Sequence, residues 1–102
     1  MIFKRVCVIA PWWLDRIRAM MCWHPTCQIA ICDPHHLGRC RHRDDWVIPL
    51  CRRHHTFGPD AIHVVGEWEW MKRFNINLWH ELHRRLTDDF DAEAANRAVG
   101  AE

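Results

Sequence analysis

The sequence lacks a long apolar run, an excess of charge of one sign and an internal repeat. No stretch approaches the roughly 20 apolar residues that a membrane-spanning helix needs, so we expect no membrane partner. The net charge of +1 argues against tight, non-specific coating of DNA. A chain of 102 residues has room for one domain. Its core is thin enough that a metal, a disulfide or a partner is expected to stabilise it.

The N-terminal residues also lack the features of a secretory signal. Lys4 and Arg5 precede an apolar stretch, but no small-x-small cleavage site follows it. We therefore interpret the segment as mature sequence. Residues 1–10 are expected to form a short strand or an extended arm, and a helix over 12–21 to begin near Pro11, where proline is tolerated.

Metal-ligating side chains are abundant, with nine histidines and six cysteines. Because histidines are interleaved among the cysteines, metal binding is favoured over a disulfide-bonded secreted peptide, which stays the weaker alternative.

The charge is uneven, since residues 1–58 carry nine Lys and Arg against four Asp and Glu, and residues 59–102 carry five against nine. This pattern indicates one basic face, able to meet phosphate, and an acidic, solvated C-terminal end.

Hydrophobic periodicity predicts a mixed α+β fold. Residues 28–31 and 46–50 are expected to form a hairpin with a long basic connection, followed by a short helix over 52–57 that Gly58 and Pro59 stop. Residues 66–74 and 78–86 are predicted helices, and the chain after Thr87 is predicted to be an exposed helix or a frayed tail. The buried faces of the two helices are assigned to Trp68, Met71, Trp79, Leu82 and Leu86.

Two histidine pairs and a single histidine stand out between positions 35 and 63. Neutral imidazole is the commonest ligand for transition metals near neutral pH. Adjacent histidines on a strand, such as His35 and His36, point to opposite sides, so one can bind a metal while the other faces a substrate. Metal-assisted phosphodiester hydrolysis needs that division, because one histidine deprotonates water while a divalent ion stabilises charge on the phosphate.

These residues, in this order, resemble the HNH endonucleases, also called ββα-metal or His-Me finger nucleases. The likeness is to small phage-type members with a DPHH…PLCxxHH…H pattern, and it covers roughly residues 16–80. The matching segments here are Asp33-Pro34-His35-His36, Asp44-Asp45, Val47-Ile48-Pro49-Leu50-Cys51, His54-His55 and His63.

The resemblance implies one α+β domain over 1–102, with a ββα-metal hairpin-plus-helix core, flanking helices and stabilisation by zinc. Within it, residues 1–21 would be an N-terminal arm and helix, and residues 22–65 the ββα-metal core. Residues 66–87 would be C-terminal helices and residues 88–102 an acidic tail.

The resemblance also implies roles for the histidines. His36 would be the general base, and a divalent ion (Zn, Mg, Mn or Ni) would be held by His35, His55 and His63. His54 stands where many members pair a cysteine with Cys51, so it either ligates a structural zinc or exchanges roles with His55. The family's central asparagine is absent from residues 37–50. An Asp near the strand start, Asp44 with Asp45 next to it, would orient the base instead.

A second, structural zinc site is predicted from the remaining ligands. Many relatives use two pairs of ligands for one tetrahedral zinc, which here would be Cys22 with Cys27 and Cys51 with His54. The gap between Cys22 and Cys27 is wider than usual, and Cys32 and Cys40 compete as ligands.

The basic clusters are expected to contact phosphate rather than to be only solvated faces. They are Arg39, Arg41, Arg43, Arg52 and Arg53.

The expected function is that of a metal-dependent DNA endonuclease or nickase, acting in the cytoplasm of a bacterial or phage-infected cell. The alternative is a non-catalytic, zinc-stapled DNA- or protein-binding module of phage origin. His36 favours the enzyme, because a structural module needs no ion-free histidine beside His35. Oligomeric state stays open, since cutting both strands with one site per chain requires a homodimer or two successive nicks.

Overall fold

The fold is a small α+β domain in which helices flank a two-stranded antiparallel sheet. A computed structural model gives the structure and describes residues 7–100. Helix α1 spans Pro11–Arg18, strand β1 Asp33–His36 and strand β2 Val47–Leu50. The C-terminal half contains α2 Ile62–Val65, α3 Glu67–Phe74, α4 Leu78–Leu82 and α5 Asp88–Gly100. Short helical turns cover Leu37–Arg39, Arg53–Phe57 and His83–Thr87, the last two of the wide π type.

The sheet is paired so that His35 lies opposite Ile48 and His36 opposite Val47. All four residues of β2 are buried, which agrees with the predicted strand over 46–50. Pro34 lies opposite Pro49, and neither can donate to a ladder. A two-stranded sheet consists of edges only, so it tolerates this proline pair.

The prediction of a strand over 28–31 is wrong, because the first strand begins at Asp33. The Ile29 carbonyl instead accepts the backbone N–H of Cys22 at 2.8 Å, and the side chain of Ile31 is 85% exposed. These residues therefore belong to the loop that holds Cys22, and their apolar character does not mark a buried strand.

The N-terminal segment is tied to the loop before β2. Val8 forms an isolated parallel bridge with Arg43, and its carbonyl accepts the backbone N–H of Asp44 at 2.8 Å. The rest of the predicted arm, residues 1–6, lies outside the described residues. Helix α1 begins at Pro11, as expected, but ends at Arg18 rather than at 21.

The core packs α1 and the C-terminal helices against the sheet, with Trp13, Ile17, Ile48, Leu50 and Trp70 among its fully buried side chains. The assignment of Trp68 to a buried face is wrong, since its side chain is 79% exposed whereas Trp70 is fully buried. Residues two apart on a helix are separated by about 200°, so only one of these two indoles can face the core.

A stripe of apolar side chains runs along the C-terminal helices at intervals of four residues. All of its members are buried: Leu78, Leu82, Leu86 and Phe90. On a regular α-helix that interval drifts by about 40° per step. The wide turn His83–Thr87 lies in the middle of the stripe. Its backbone hydrogen bonds span five residues instead of four, and this larger hydrogen-bonded ring counteracts the drift. Residues 88–100 form helix α5, which decides between the two predicted alternatives for this part of the chain. None of the helices within residues 7–100 combines the length and apolar character that crossing a bilayer requires.

Candidate functional site

A tight turn at Gly58 brings the histidines of two helical segments together. The wide turn Arg53–Phe57 carries His55, and the Gly58 backbone N–H closes it on the Arg53 carbonyl at 2.8 Å. A Cβ atom at Gly58 would lie 2.6 Å from that carbonyl oxygen, so the approach requires glycine. The chain then returns through α2 and places His63 Nε2 3.0 Å from His55 Nε2.

Three histidines form the first cluster of ligating side chains. His35, His55 and His63 each offer one ligand atom, and these atoms all lie within 4.8 Å of one another. Burial lowers the pKa of both His55 and His63 below the usual value, and charge on neighbouring imidazoles lowers it further. Since metals bind the neutral imidazole, the environment favours the ligating form.

Two carboxylates hold ring nitrogens of this cluster. Asp33 Oδ2 lies 3.1 Å from His55 Nδ1, and Glu67 Oε2 lies 2.8 Å from His35 Nε2. Burial alone would raise the pKa of the Glu67 carboxyl, but hydrogen bonds from His35 and from the Gly38 N–H lower it overall. Neither acid was predicted as a site residue. Two features of the sequence could have indicated these acids. Asp33 lies in the DPHH segment, and Glu67 follows His63 by four residues.

His36 stands apart from the cluster and has its own acidic partner. Its Nε2 lies 3.0 Å from Asp44 Oδ1, and the other oxygen of Asp44 accepts the Ala10 backbone N–H at 2.7 Å. Asp45, the other candidate, makes a bidentate pair with Arg43 instead. The loop therefore brings Asp44, and not Asp45, to His36.

A cleft of about 730 Å³ joins the two groups. Three of the predicted phosphate-contacting arginines do not line it. Arg43 is paired with Asp45 and stacks on Trp46 at 3.8 Å, whereas Arg52 and Arg53 are exposed elsewhere on the surface. Residues that border the cleft include His35, His36, His55, His63, Glu67, Arg39 and Arg41.

The second cluster consists of three thiols and one imidazole, from Cys22, Cys27, Cys51 and His54, whose ligand atoms also lie within 4.8 Å of one another. His54 Nδ1 is 3.2 Å from Cys51 Sγ and 3.6 Å from Cys22 Sγ, and Cys27 Sγ is 3.8 Å from Cys51 Sγ. The wide gap between the first two cysteines is accommodated by the loop after α1. Of the competing ligands, Cys32 faces the Ile29 carbonyl and Cys40 the Gly38 carbonyl.

The Cys/His cluster can hold a metal ion, and its donor set suits structural zinc. Burial raises the pKa of the Cys22 thiol to about 12, so a bound cation is needed to keep it as thiolate. Three thiolates and one imidazole are a common tetrahedral zinc set. All six cysteines lie among the described residues, and none of them is in a disulfide.

The three-histidine cluster has a different character. Three imidazoles around one ion would leave coordination positions open, whereas four protein ligands close a structural zinc site. Comparisons of the chain with protein-family models, with curated proteins and with solved structures find no match. The interpretation of the site therefore depends on its own geometry.

Proposed function

We propose that this chain is a metal-dependent DNA endonuclease or nickase of the HNH type. The observation that carries the proposal is the division of labour between adjacent histidines of β1. His35 joins the three-histidine cluster, whereas His36 is outside it, hydrogen-bonded to Asp44, and borders the same cleft. A single cleft thus contains a candidate ion site and a separate candidate base.

His36 is suited to accept a proton from water. Its Nε2–H donates to the buried carboxylate of Asp44, which leaves Nδ1 as the free acceptor. Asp44 is itself fixed by the Ala10 N–H, so the ring is held in one orientation. A general base positioned in this way contributes about 10²–10⁴-fold to a rate.

The other residues of the cleft supply binding. His35, His55 and His63 would hold the divalent ion, which when bound stabilises negative charge on the phosphate and on the departing 3′-oxygen. Arg39 and Arg41 border the cleft and would contact the neighbouring phosphates of the strand. The four residues of the Cys/His cluster all precede His55 in the sequence. With structural zinc bound, the cluster would keep β2 and the turn after it in place.

The ββα-metal architecture belongs to the same proposal. The hairpin β1–β2 carries His35 and His36, and the helical turn after β2 carries His55. That order of strand, strand and helix around one candidate ion site is what the resemblance implies for the family.

The test is nicking of supercoiled plasmid by protein that carries one equivalent of zinc at the Cys/His cluster, after addition of Mg²⁺, Mn²⁺, Ni²⁺ or further Zn²⁺. We expect conversion of supercoiled to relaxed plasmid with at least one ion and none with chelator. Absence of cleavage with all four ions, on single- and double-stranded DNA, would contradict the proposal. Metal-dependent DNA binding without cleavage would support the alternative, a zinc-stapled binding module.

A further inference from the structure

Glu67 is a half-buried acid with an unusual set of neighbours. Its carboxylate lies 2.8 Å from His35 Nε2 and accepts the Gly38 backbone N–H at 3.0 and 3.1 Å. Among residues 7–100, no Lys or Arg side-chain nitrogen lies within 4 Å of the carboxylate, so the side chain that faces it is the imidazole of His35. The hydrogen bonds satisfy the carboxylate, and a cation bound close by would stabilise its charge further.

The geometry separates Glu67 from the ion-binding atoms. Within the described part of the chain, the ligand atoms that lie within 4.8 Å of one another come from His35, His55 and His63, and Glu67 does not join that set. With Nε2 of His35 hydrogen-bonded to the carboxylate, Nδ1 is the nitrogen that would be left to bind an ion. The same arrangement holds at His55, where Asp33 takes Nδ1 and Nε2 faces His63.

We propose that Glu67 is the positioning residue of the three-histidine site, fixing His35 with its proton on Nε2 and contributing negative charge that raises the affinity for a divalent ion. This inference deepens the proposed function, because it rests on the ion site, but it does not depend on cleavage. A carboxylate behind a ligating histidine orients the ring and increases its basicity.

Glu67 also links the ion site to the basic loop. Gly38 adopts a φ of 65° and immediately precedes Arg39. By accepting the Gly38 N–H, the carboxylate connects this left-handed turn to His35. Loss of the charge should therefore act on the ion site first and on the loop second.

The test compares Glu67→Gln with Glu69→Gln, which changes an acid two residues away that pairs with Arg73. With the Cys/His cluster already filled with zinc, Co²⁺ binding to the second site is measured by calorimetry and by the cobalt absorption spectrum. We expect Glu67→Gln to weaken Co²⁺ binding about 10–100-fold. Glu69→Gln should bind like the parent. A Glu67→Gln affinity within twofold of the parent would overturn the proposal.

A second measurement needs no variant. Nitrogen-15 chemical shifts of the His35 ring in the parent, without an ion at the second site, are expected to show Nε2 protonated and Nδ1 free. A ring protonated on Nδ1 would overturn the proposal even if Glu67→Gln failed to fold. Failure of the nuclease proposal is distinguishable, because it would leave plasmid uncut while the cobalt and nitrogen-15 results stayed as expected.

Discussion

At the scale of single residues, the two neighbouring histidines His35 and His36 have different partners. Alternation along β1 sends the rings of His35 and His36 toward different surroundings. Carboxylates fix the orientation of each ring, because Glu67 is hydrogen-bonded to His35 and Asp44 to His36. A histidine pair alone would not specify which ring binds an ion.

Asp44→Asn tests the orientation of His36. The amide keeps the shape of the side chain, but if its oxygen accepts the Ala10 N–H, its NH₂ group faces Nε2 and disfavours the tautomer that a base requires. We expect plasmid nicking to fall about 10–100-fold, as for loss of other outer carboxylate partners. Asp45→Asn is the matched control and should nick at the parental rate. Equal loss in both variants would contradict the assignment of Asp44.

The sequence could predict the two groups of ligating residues but not their acidic partners. The resemblance to the HNH pattern implied both sets, His35 with His55 and His63, and the three cysteines with His54, and the structure brings each set together. The choice between Asp44 and Asp45 depends on the conformation of one loop, which local sequence does not determine. Glu67 lies on a later helix, and only the turn at Gly66 brings it back to His35.

At the scale of elements, the turn after β2 decides whether the ion site exists. Gly58, the residue directly after this turn, is buried against the Arg53 backbone, which leaves no room for a side chain. The glycine and proline at 58 and 59 predicted a break in the helix, and the wide turn does end at Phe57. The consequence is that His63 meets His55 rather than pointing away along a continuing helix.

Gly58→Ala should therefore destabilise the fold and weaken the ion site together. The added methyl group requires the Arg53 carbonyl to move, and overpacking of this kind costs about 1–3 kcal/mol. Urea denaturation measures the change in the free energy of unfolding. The control is Thr56→Ala in the same turn, at an exposed position, which should change it by less than about 0.5 kcal/mol. Parental stability of Gly58→Ala would show that the turn is not tight.

The prediction of secondary structure failed where apolar residues lie in a loop. Ile29 and Ile31 look like strand residues, yet the backbone of this stretch is used to hold Cys22 and Cys32. Hydrogen bonds of this kind depend on the conformation of the loop, which the apolar pattern does not encode. The α+β composition and the C-terminal helices could be predicted because their apolar patterns are long and local.

At the scale of the whole molecule, the Cys/His cluster connects the loop after α1 to the end of β2. Structural zinc contributes on the order of 10 kcal/mol of folding free energy in small zinc-binding peptides. In a chain of this size, such a contribution would rival the total stability of about 5–15 kcal/mol that is typical of a domain.

Cys51→Ser should therefore lower the midpoint of thermal unfolding strongly and remove one equivalent of zinc. Its thiol is buried within the cluster, so serine removes one of the four ligand atoms available to the ion. Differential scanning calorimetry and metal analysis measure the two effects. Cys7→Ser, at an exposed cysteine outside the cluster, is the control. If Cys51→Ser melted like Cys7→Ser and kept its zinc, the structural role of the cluster would be excluded.

The uneven distribution of charge also acts at this scale. Arg39 and Arg41 border the cleft, whereas Arg52 and Arg53 do not. Replacing the first pair with Ala should weaken DNA binding and reduce the logarithmic salt slope by roughly 0.9 for each phosphate that an arginine no longer neutralises. Replacing the second pair is the control and should change the slope less. Fluorescence anisotropy across a salt series measures both, and the reverse order would place the DNA on another face.

The most direct test of the central claim compares His36→Ala with His63→Ala for cleavage and for bound metal. His36 lies outside the three-histidine cluster and His63 within it, so the two variants should fail in different ways. We predict that His36→Ala loses about 10²–10⁴-fold in nicking rate while retaining the parental metal content. His63→Ala should lose nicking together with the ion at the second site, and His80→Ala, at an exposed histidine on α4, should change neither. Full cleavage by His36→Ala, or loss of the ion in that variant, would contradict the account.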